Sequence, residues 1–147
     1  GSRLTLTLVK NPTGFNQVLS TILASNKPLR LLLAINDLAA DGRDVSWLWD
    51  VDFEGLAARQ EFIRQIICSG LRAEDMALRL KYAGFAENLL QLEHSLEQAV
   101  ELLAKETRSA AEEEVIFVLP SYTALFTLRE ILLNRPSEES ERQVMTA

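Results

Sequence analysis

Leu29-Arg30-Leu31-Leu32-Leu33-Ala34-Ile35 is a run of apolar residues broken only by Arg30. It reads as a strand buried on both faces, the signature of a parallel sheet covered by helices. It runs directly into residues 36–54, Asn-Asp-Leu-Ala-Ala-Asp-Gly-Arg-Asp-Val-Ser-Trp-Leu-Trp-Asp-Val-Asp-Phe-Glu, which hold five aspartates (Asp37, Asp41, Asp44, Asp50, Asp52) and both tryptophans of the chain. Carboxylates at the carboxyl edge of a buried parallel strand stand where open α/β folds place their sites. Two tryptophans among so many acids point to a shaped surface on which something else packs.

Working outward, residues 4–9 (Leu-Thr-Leu-Thr-Leu-Val) alternate apolar and β-branched polar positions and read as a first strand. Lys10-Asn11-Pro12-Thr13-Gly14 is turn chemistry, with Thr13 as the expected cap of the next helix. Phe15, Val18, Leu19, Ile22 and Leu23 then recur at helical spacing, and Asn26-Lys27-Pro28 stops the helix. Beyond the acidic stretch, residues 47–53 read as a short strand or an extended segment and residues 54–60 as a brief helix. Residues 62–68 read as a strand, and 72–83 as a helix closed by Gly84. A short strand at 89–92, a helix from Ser95, a buried strand at 115–119 and a last helix at 122–134 complete the pattern. From residue 136 the sequence is rich in Ser and Glu, and a structureless tail is expected over 136–147. Gly1-Ser2 reads as the scar of a removed tag. Alternation of strands and helices gives a single Rossmann-like α/β domain over residues 3–135, with a mostly parallel sheet flanked by helices.

The 147 residues suit one domain with a real core. A formal net charge of −6, with Lys and Arg scattered, argues against a nucleic-acid partner, which needs a clustered positive surface. The single cysteine, Cys68, excludes an internal disulfide and a multi-thiolate zinc site, so an intracellular, cytoplasmic protein is expected. No apolar run approaches the ~20 residues of a membrane span.

Phosphate loops of the Walker type, the dinucleotide fingerprint Gly-x-Gly-x-x-Gly and the hydrolase elbow Gly-x-Ser-x-Gly are all missing. Cys68 ends an apolar strand and reads as a small core residue; His94, among Glu93, Ser95 and Glu97, reads as solvated or capping. The acidic stretch has three readings. It is a solvated turn braced by its own aspartates, or a Ca²⁺ or Mg²⁺ site, or a loop that holds one carboxylate out to orient a histidine or a substrate amine. The spacing Asp37, Asp41, Asp44 does not match an EF-hand, so no metal is assigned to the domain. Spacing alone does not separate the first reading from the third.

Three blocks carry a family resemblance: Lys10-Asn11-Pro12-Thr13-Gly14-Phe15-Asn16-Gln17-Val18-Leu19; Asn36-Asp37 through Ala40-Asp41-Gly42-Arg43-Asp44-Val45-Ser46-Trp47-Leu48-Trp49-Asp50; and Leu119-Pro120-Ser121-Tyr122-Thr123-Ala124-Leu125. Together with residues 69–84 they resemble the C-terminal domain of the MurT family, the Mur-ligase-like subunits of lipid II isoglutaminyl synthase. The resemblance runs from residue 4 to about residue 134. It implies the Mur ligase C-terminal type of fold and a role in peptidoglycan biosynthesis. In that family the ligase subunit uses ATP to activate the α-carboxylate of D-Glu in the stem peptide of lipid II, and a GatD-type glutaminase subunit supplies ammonia. ATP, Mg²⁺ and a structural Zn²⁺ belong by this analogy to the N-terminal and central domains of the ligase; no cofactor is implied for the C-terminal domain.

The resemblance further implies that the domain docks the glutaminase and that an aspartate of the acidic motif completes its Cys-His site. Asp44 is the first choice for that catalytic carboxylate and Asp41 the second, since Gly42 lets the backbone expose it. Trp47 and Trp49 are core or partner-facing; Arg43, Ser46 and Asp50 are partner contacts or loop braces. Asn11, Thr13 and Gly14 fall where related ligases turn toward the substrate cleft. The isolated domain is expected to be inactive. The competing reading is a binding module that uses the Asp/Trp loop without taking part in catalysis.

Overall fold

The side chains of the second strand part to opposite sides of the sheet with a period of two. Leu29, Leu31, Leu33 and Ile35 enter one apolar cluster, Leu32 and Ala34 the other. The computed structural model describes residues 2–135 and the backbone of 141–146. Its elements are β1 (Arg3–Leu8), α1 (Pro12–Leu23), β2 (Leu29–Ala34), α2 (Phe53–Ala57), β3 (Ile63–Ser69), α3 (Ala73–Ala83), β4 (Leu90–Leu92), α4 (Leu96–Arg108), β5 (Val115–Pro120), α5 (Tyr122–Leu133) and β6 (Glu141–Thr146). The six strands lie in the order β4-β3-β2-β5-β1-β6, and every pairing is parallel. Helices α1, α2 and α3 pack on one face around Phe15, Leu56, Met76 and Leu80; α4 and α5 cover the other with Ala99, Leu103, Ala124 and Leu128.

This order places a site. β2 and β5 are neighbours, yet the chain leaving β2 goes to the face of α2 and α3, while the chain leaving β5 goes to the face of α5. Their carboxyl ends therefore flank a topological switch point. Residues 36–45 follow β2 there, and Ser121 and Thr123 follow β5.

Arg30, the break in the apolar run, is buried at the opposite end of the sheet. Its Nε donates to Glu114 (2.6 Å) and its Nη1 to Gln65 (2.8 Å), and Gln65 Nε2 donates to Gln91 (2.6 Å). A register shift in β3 opposite Leu29/Arg30 brings Gln65 beside Arg30. The buried charge is thereby partnered within the sheet.

Three expectations are corrected. Residues 47–53 are neither strand nor extended: Ser46–Asp50 is a 3₁₀ helix that leads through Asp52, the cap of α2. Val45, Leu48 and Val51 point inward at a period of three, so the Trp alternation has no strand meaning. Asn11, not Thr13, caps α1, its side chain accepting from the Gly14 amide at 2.8 Å. The tail expected to lack structure from residue 136 contains β6, which pairs with β1 from Arg3↔Glu141 to Leu8↔Thr146; residues 136–140 and 147, like Gly1, lie outside the described residues. The open edge of β1 offers amides and carbonyls that a composition argument does not register. His94 is exposed, in keeping with the solvated reading, with its Nε2 2.6 Å from Glu74 Oε2.

Candidate functional site

Asp41 points away from solvent and into the switch point. Its Oδ1 accepts from the Thr123 amide (2.7 Å), and its Oδ2 accepts from the Thr123 hydroxyl (2.6 Å) and the Leu38 amide (3.0 Å). Ser121, the residue in the capping position of α5, makes no side-chain cap bond to that helix. Asp41 satisfies one of its free amides instead, and its charge suits the positive end of the helix dipole. Thr123 Oγ1 also accepts from Asn36 Nδ2 (3.0 Å). Asn36 in turn donates its amide to Ser121 Oγ (2.8 Å) and accepts from Leu71 N at Oδ1 (2.9 Å). The carboxyl ends of β2, β3 and β5 are thus sewn together by polar side chains.

Arg72 organises the next layer. It donates from Nη1 to Asp37 (3.0 Å) and from Nε to Asp75 (2.6 Å). The Asp75 carboxyl is held below the usual carboxylate range chiefly by this hydrogen bond, and the guanidinium is held more firmly protonated in return.

Asp44 differs from its neighbours. It is exposed, and its bond is to its own turn, Oδ1 accepting from Ser46 N at 2.8 Å. That backbone bond first, the Ser46 side chain second and the charge of Arg72 together lower its pKa. With Arg43, Val45, Ser46, Leu48, Trp49, Arg72 and Asp75 it lines a cavity of about 230 Å³. Small-molecule sites usually exceed ~300 Å³, so the space suits a single inserted side chain better than a nucleotide.

The tryptophans divide. Trp47 is half-buried and leans on Phe15, ring centroids 6.2 Å apart; Trp49 is 50% exposed and sits 5.8 Å from Tyr82. The rings of Trp49 and Phe53 sandwich the guanidinium of Arg79 at 5.2 and 5.3 Å. Arg79 is buried and donates to Leu48 O (2.9 Å), Val51 O (2.7 Å) and both oxygens of Glu54 (2.9 and 2.8 Å). One side chain of α3 therefore fixes the 3₁₀ turn that carries Trp49.

Of the residues singled out in the sequence, Asp44, Arg43, Ser46 and Trp49 meet at the cavity. Asp41 is committed to α5, Trp47 to Phe15, and Asp50 is exposed without lining the cavity. Asn11, Thr13 and Gly14 belong to the start of α1 and are not among the cavity residues. Arg72, Asp75, Arg79 and Thr123 were not singled out. The one sequence signal for Arg79 was its place on the apolar stripe with Met76 and Leu80, where a charge needs a partner. Among the described residues, no group of three or more His, Cys, Asp or Glu is arranged to hold a metal, and no helix is long and apolar enough to cross a membrane.

Residues 8–125 match the MurT ligase C-terminal family. The chain belongs to this family. The MurT-type domain is 33% identical over 131 residues to the lipid II isoglutaminyl synthase (glutamine-hydrolyzing) subunit MurT of Streptococcus pneumoniae, and 35% identical over 133 residues to that of Staphylococcus aureus strain COL. These alignments cover 89% and 90% of the chain but 28% of each relative, so the chain spans under a third of the length of the curated relatives it matches. In fold it is similar to Mycobacterium tuberculosis folylpolyglutamate synthase, with a TM-score of 0.52 and 16% identity over 89% of this chain and 29% of that one. The Rossmann-like, single-domain expectation is borne out, as is the family resemblance. The chain is a Mur-ligase-like C-terminal domain whose relatives are subunits of a ligase.

Proposed function

We propose that this MurT-type domain docks a GatD-type glutaminase and lends it Asp44, as part of a subunit that amidates D-Glu in the lipid II stem peptide. The observation that carries the reading is the exposed Asp44 carboxylate at the mouth of a cavity sized for one side chain. Asp37 and Asp75 are tied to Arg72 and Asp41 to Thr123, whereas Asp44 is bonded to its own turn alone. The glutamine-hydrolyzing activity in the relatives' names requires a nucleophile and a base; here Cys68 is fully buried, with its thiol pushed up to about 12 by desolvation, which supports a reading in which the nucleophile lies outside this domain.

In this reading the glutaminase His takes the proton of its Cys thiol through one ring nitrogen. Asp44 accepts the N–H of the other, fixing the tautomer and stabilising the imidazolium. Trp49 and Arg43 are partner contacts beside it, and Asp50 and Ser46 brace or flank the loop. ATP, Mg²⁺ and a structural Zn²⁺ are assigned to the ligase's N-terminal and central domains, and the complex works on lipid II from the cytoplasm. Alone, the domain is expected to hydrolyse neither ATP nor glutamine.

The test is Asp44→Asn in the whole ligase subunit assembled with its glutaminase. Glutamine hydrolysis should fall by at least about a hundredfold with subunit affinity retained, a large loss being the known consequence of removing an orienting carboxylate. Wild-type hydrolysis would leave the domain as a docking module without a catalytic share.

A further inference from the structure

We propose that Thr123, on α5, is a positioning residue for Asp44, acting through Asp41; the inference rests on the role of Asp44 proposed above. The two residues are far apart in sequence, but the loop between β2 and the 3₁₀ helix is held at few points. Toward its C-terminal side, Val45 is buried and its carbonyl accepts from Leu48 N at 3.1 Å. Leu38, Ala39, Ala40, Gly42, Arg43 and Asp44 are all exposed. The sequence Asp41-Gly42-Arg43-Asp44 therefore leaves the fold's surface at Asp41 and returns at Val45.

Asp41 is the anchor on the leaving side, and Thr123 supplies two of its three donors. The hydroxyl matters more than the amide for placement. As donor to Asp41 Oδ2 and acceptor from Asn36 Nδ2, Thr123 Oγ1 joins the loop to the end of β2. Gly42 follows at φ 87°, in open space, and its amide donates only within the loop, to Ala39 O at 3.3 Å. Loss of the hydroxyl leaves Asp41 with the Thr123 and Leu38 amides and frees the loop to shift against β2. A displacement near 1 Å at a catalytic group can cost on the order of a hundredfold.

Thr123→Val keeps the shape of the side chain and the amide bond while deleting the hydroxyl. In the assembled complex it should lower kcat for glutamine hydrolysis by about tenfold or more. KM for glutamine and subunit affinity should stay within about twofold, and Thr123→Ser should restore most of the rate. The decisive comparison is Thr123→Val in the Asp44→Asn background. A residue acting through Asp44 causes no further loss there, because a pair working as a unit is non-additive. An additional loss equal to that in the wild-type background, or wild-type turnover in Thr123→Val alone, overturns the positioning role. Wild-type turnover in Asp44→Asn overturns the role of Asp44 and this inference with it, so the two failures are distinguishable.

Discussion

The guanidinium of Arg79 lies 5.2 Å from the centroid of the Trp49 ring while two of its nitrogens donate to the carbonyls of Leu48 and Val51. A buried cation on α3 thus sets the orientation of an exposed aromatic on a different element. Replacing it leaves the Leu48 and Val51 carbonyls with the Val51 and Phe53 amides alone and removes a cation from beside two rings. Arg79→Met should destabilise the domain by about 3 kcal/mol, since it deletes two buried hydrogen bonds from a charged donor at about 1.5–3 kcal/mol each. A denaturant midpoint at unchanged m-value measures this. Glu54→Gln should do much less, since the Glu54 carboxylate is exposed.

Trp47 and Trp49 should part company under mutation. Trp47→Ala removes a ring packed on Phe15 and should cost about 2 kcal/mol of stability with a modest effect on partner affinity. Trp49→Ala should lower affinity for the glutaminase about tenfold or more while stability changes by about 1 kcal/mol or less. Calorimetric titration and thermal unfolding of both variants separate the two roles.

The carboxyls of Asp75 and Glu54 are held below their usual values by the guanidinium hydrogen bonds of Arg72 and Arg79, respectively. A carboxylate whose folded pKa is depressed contributes stability above its unfolded value, and loses it as pH falls through the folded one. The ordinary carboxyl values are 3.8 for an Asp and 4.5 for a Glu, so stability should be level above pH ~5 and decline below it. Asp75→Asn and Glu54→Gln should each flatten that decline in unfolding measured from pH 3 to 7. Asp44 is depressed below 3.8 as well, chiefly by the Ser46 amide. Any acid limb of glutaminase activity above pH 5 should therefore persist unchanged in position when Arg72, the weakest of its influences, is replaced by Lys.

Gly70 has φ 86°, and a Cβ there would stand 2.7 Å from the Ile35 carbonyl oxygen and 2.8 Å from Asn36 Oδ1. Both are backbone or network atoms at the end of β2, without room to yield. Gly70→Ala should destabilise by about 2–4 kcal/mol, combining left-handed strain with the clash. Gly42→Ala carries strain alone, about 1–2 kcal/mol, because nothing lies within 4 Å. A side-by-side thermal melt of the two variants checks the ranking.

Cys68 should ignore thiol reagents at pH 8 in the folded domain and react once it is denatured. Its side chain is fully buried and its thiol is pushed up to about 12. Absorbance with a disulfide-exchange reagent follows both reactions; rapid labelling of native protein contradicts the buried placement.

The parallel core was legible because β2 and β5 are buried on both faces and appear as near-continuous apolar runs, interrupted in β2 only by Arg30. The acidic loop was legible as a candidate site for a topological reason, its place after a central strand. Its internal division of labour was not. Asp41 and Asp44 are equivalent by composition, and what separates them is Thr123, a partner 82 positions away from Asp41. The 3₁₀ helix was missed because Trp47, Trp49, Val51 and Phe53 imitate a strand period, while the inward set is Val45, Leu48 and Val51. Arg79 read as one charge among several on α3, since periodicity does not say whether a guanidinium has carbonyls waiting for it.

The strand order bears on how the domain assembles during synthesis. Of the strands of this domain β1 is made before the others, but its described partners are β5 and β6, more than a hundred residues later. Until residues 115–120 emerge, β1 has no neighbour in the sheet, and β2 keeps an open side. Such late closure by a central strand raises contact order and slows folding. It also exposes apolar strand edges to other chains. A truncation ending before residue 115 should therefore aggregate rather than persist as a partly folded domain, and the nascent chain should gain protease resistance in one step when β5 takes its place.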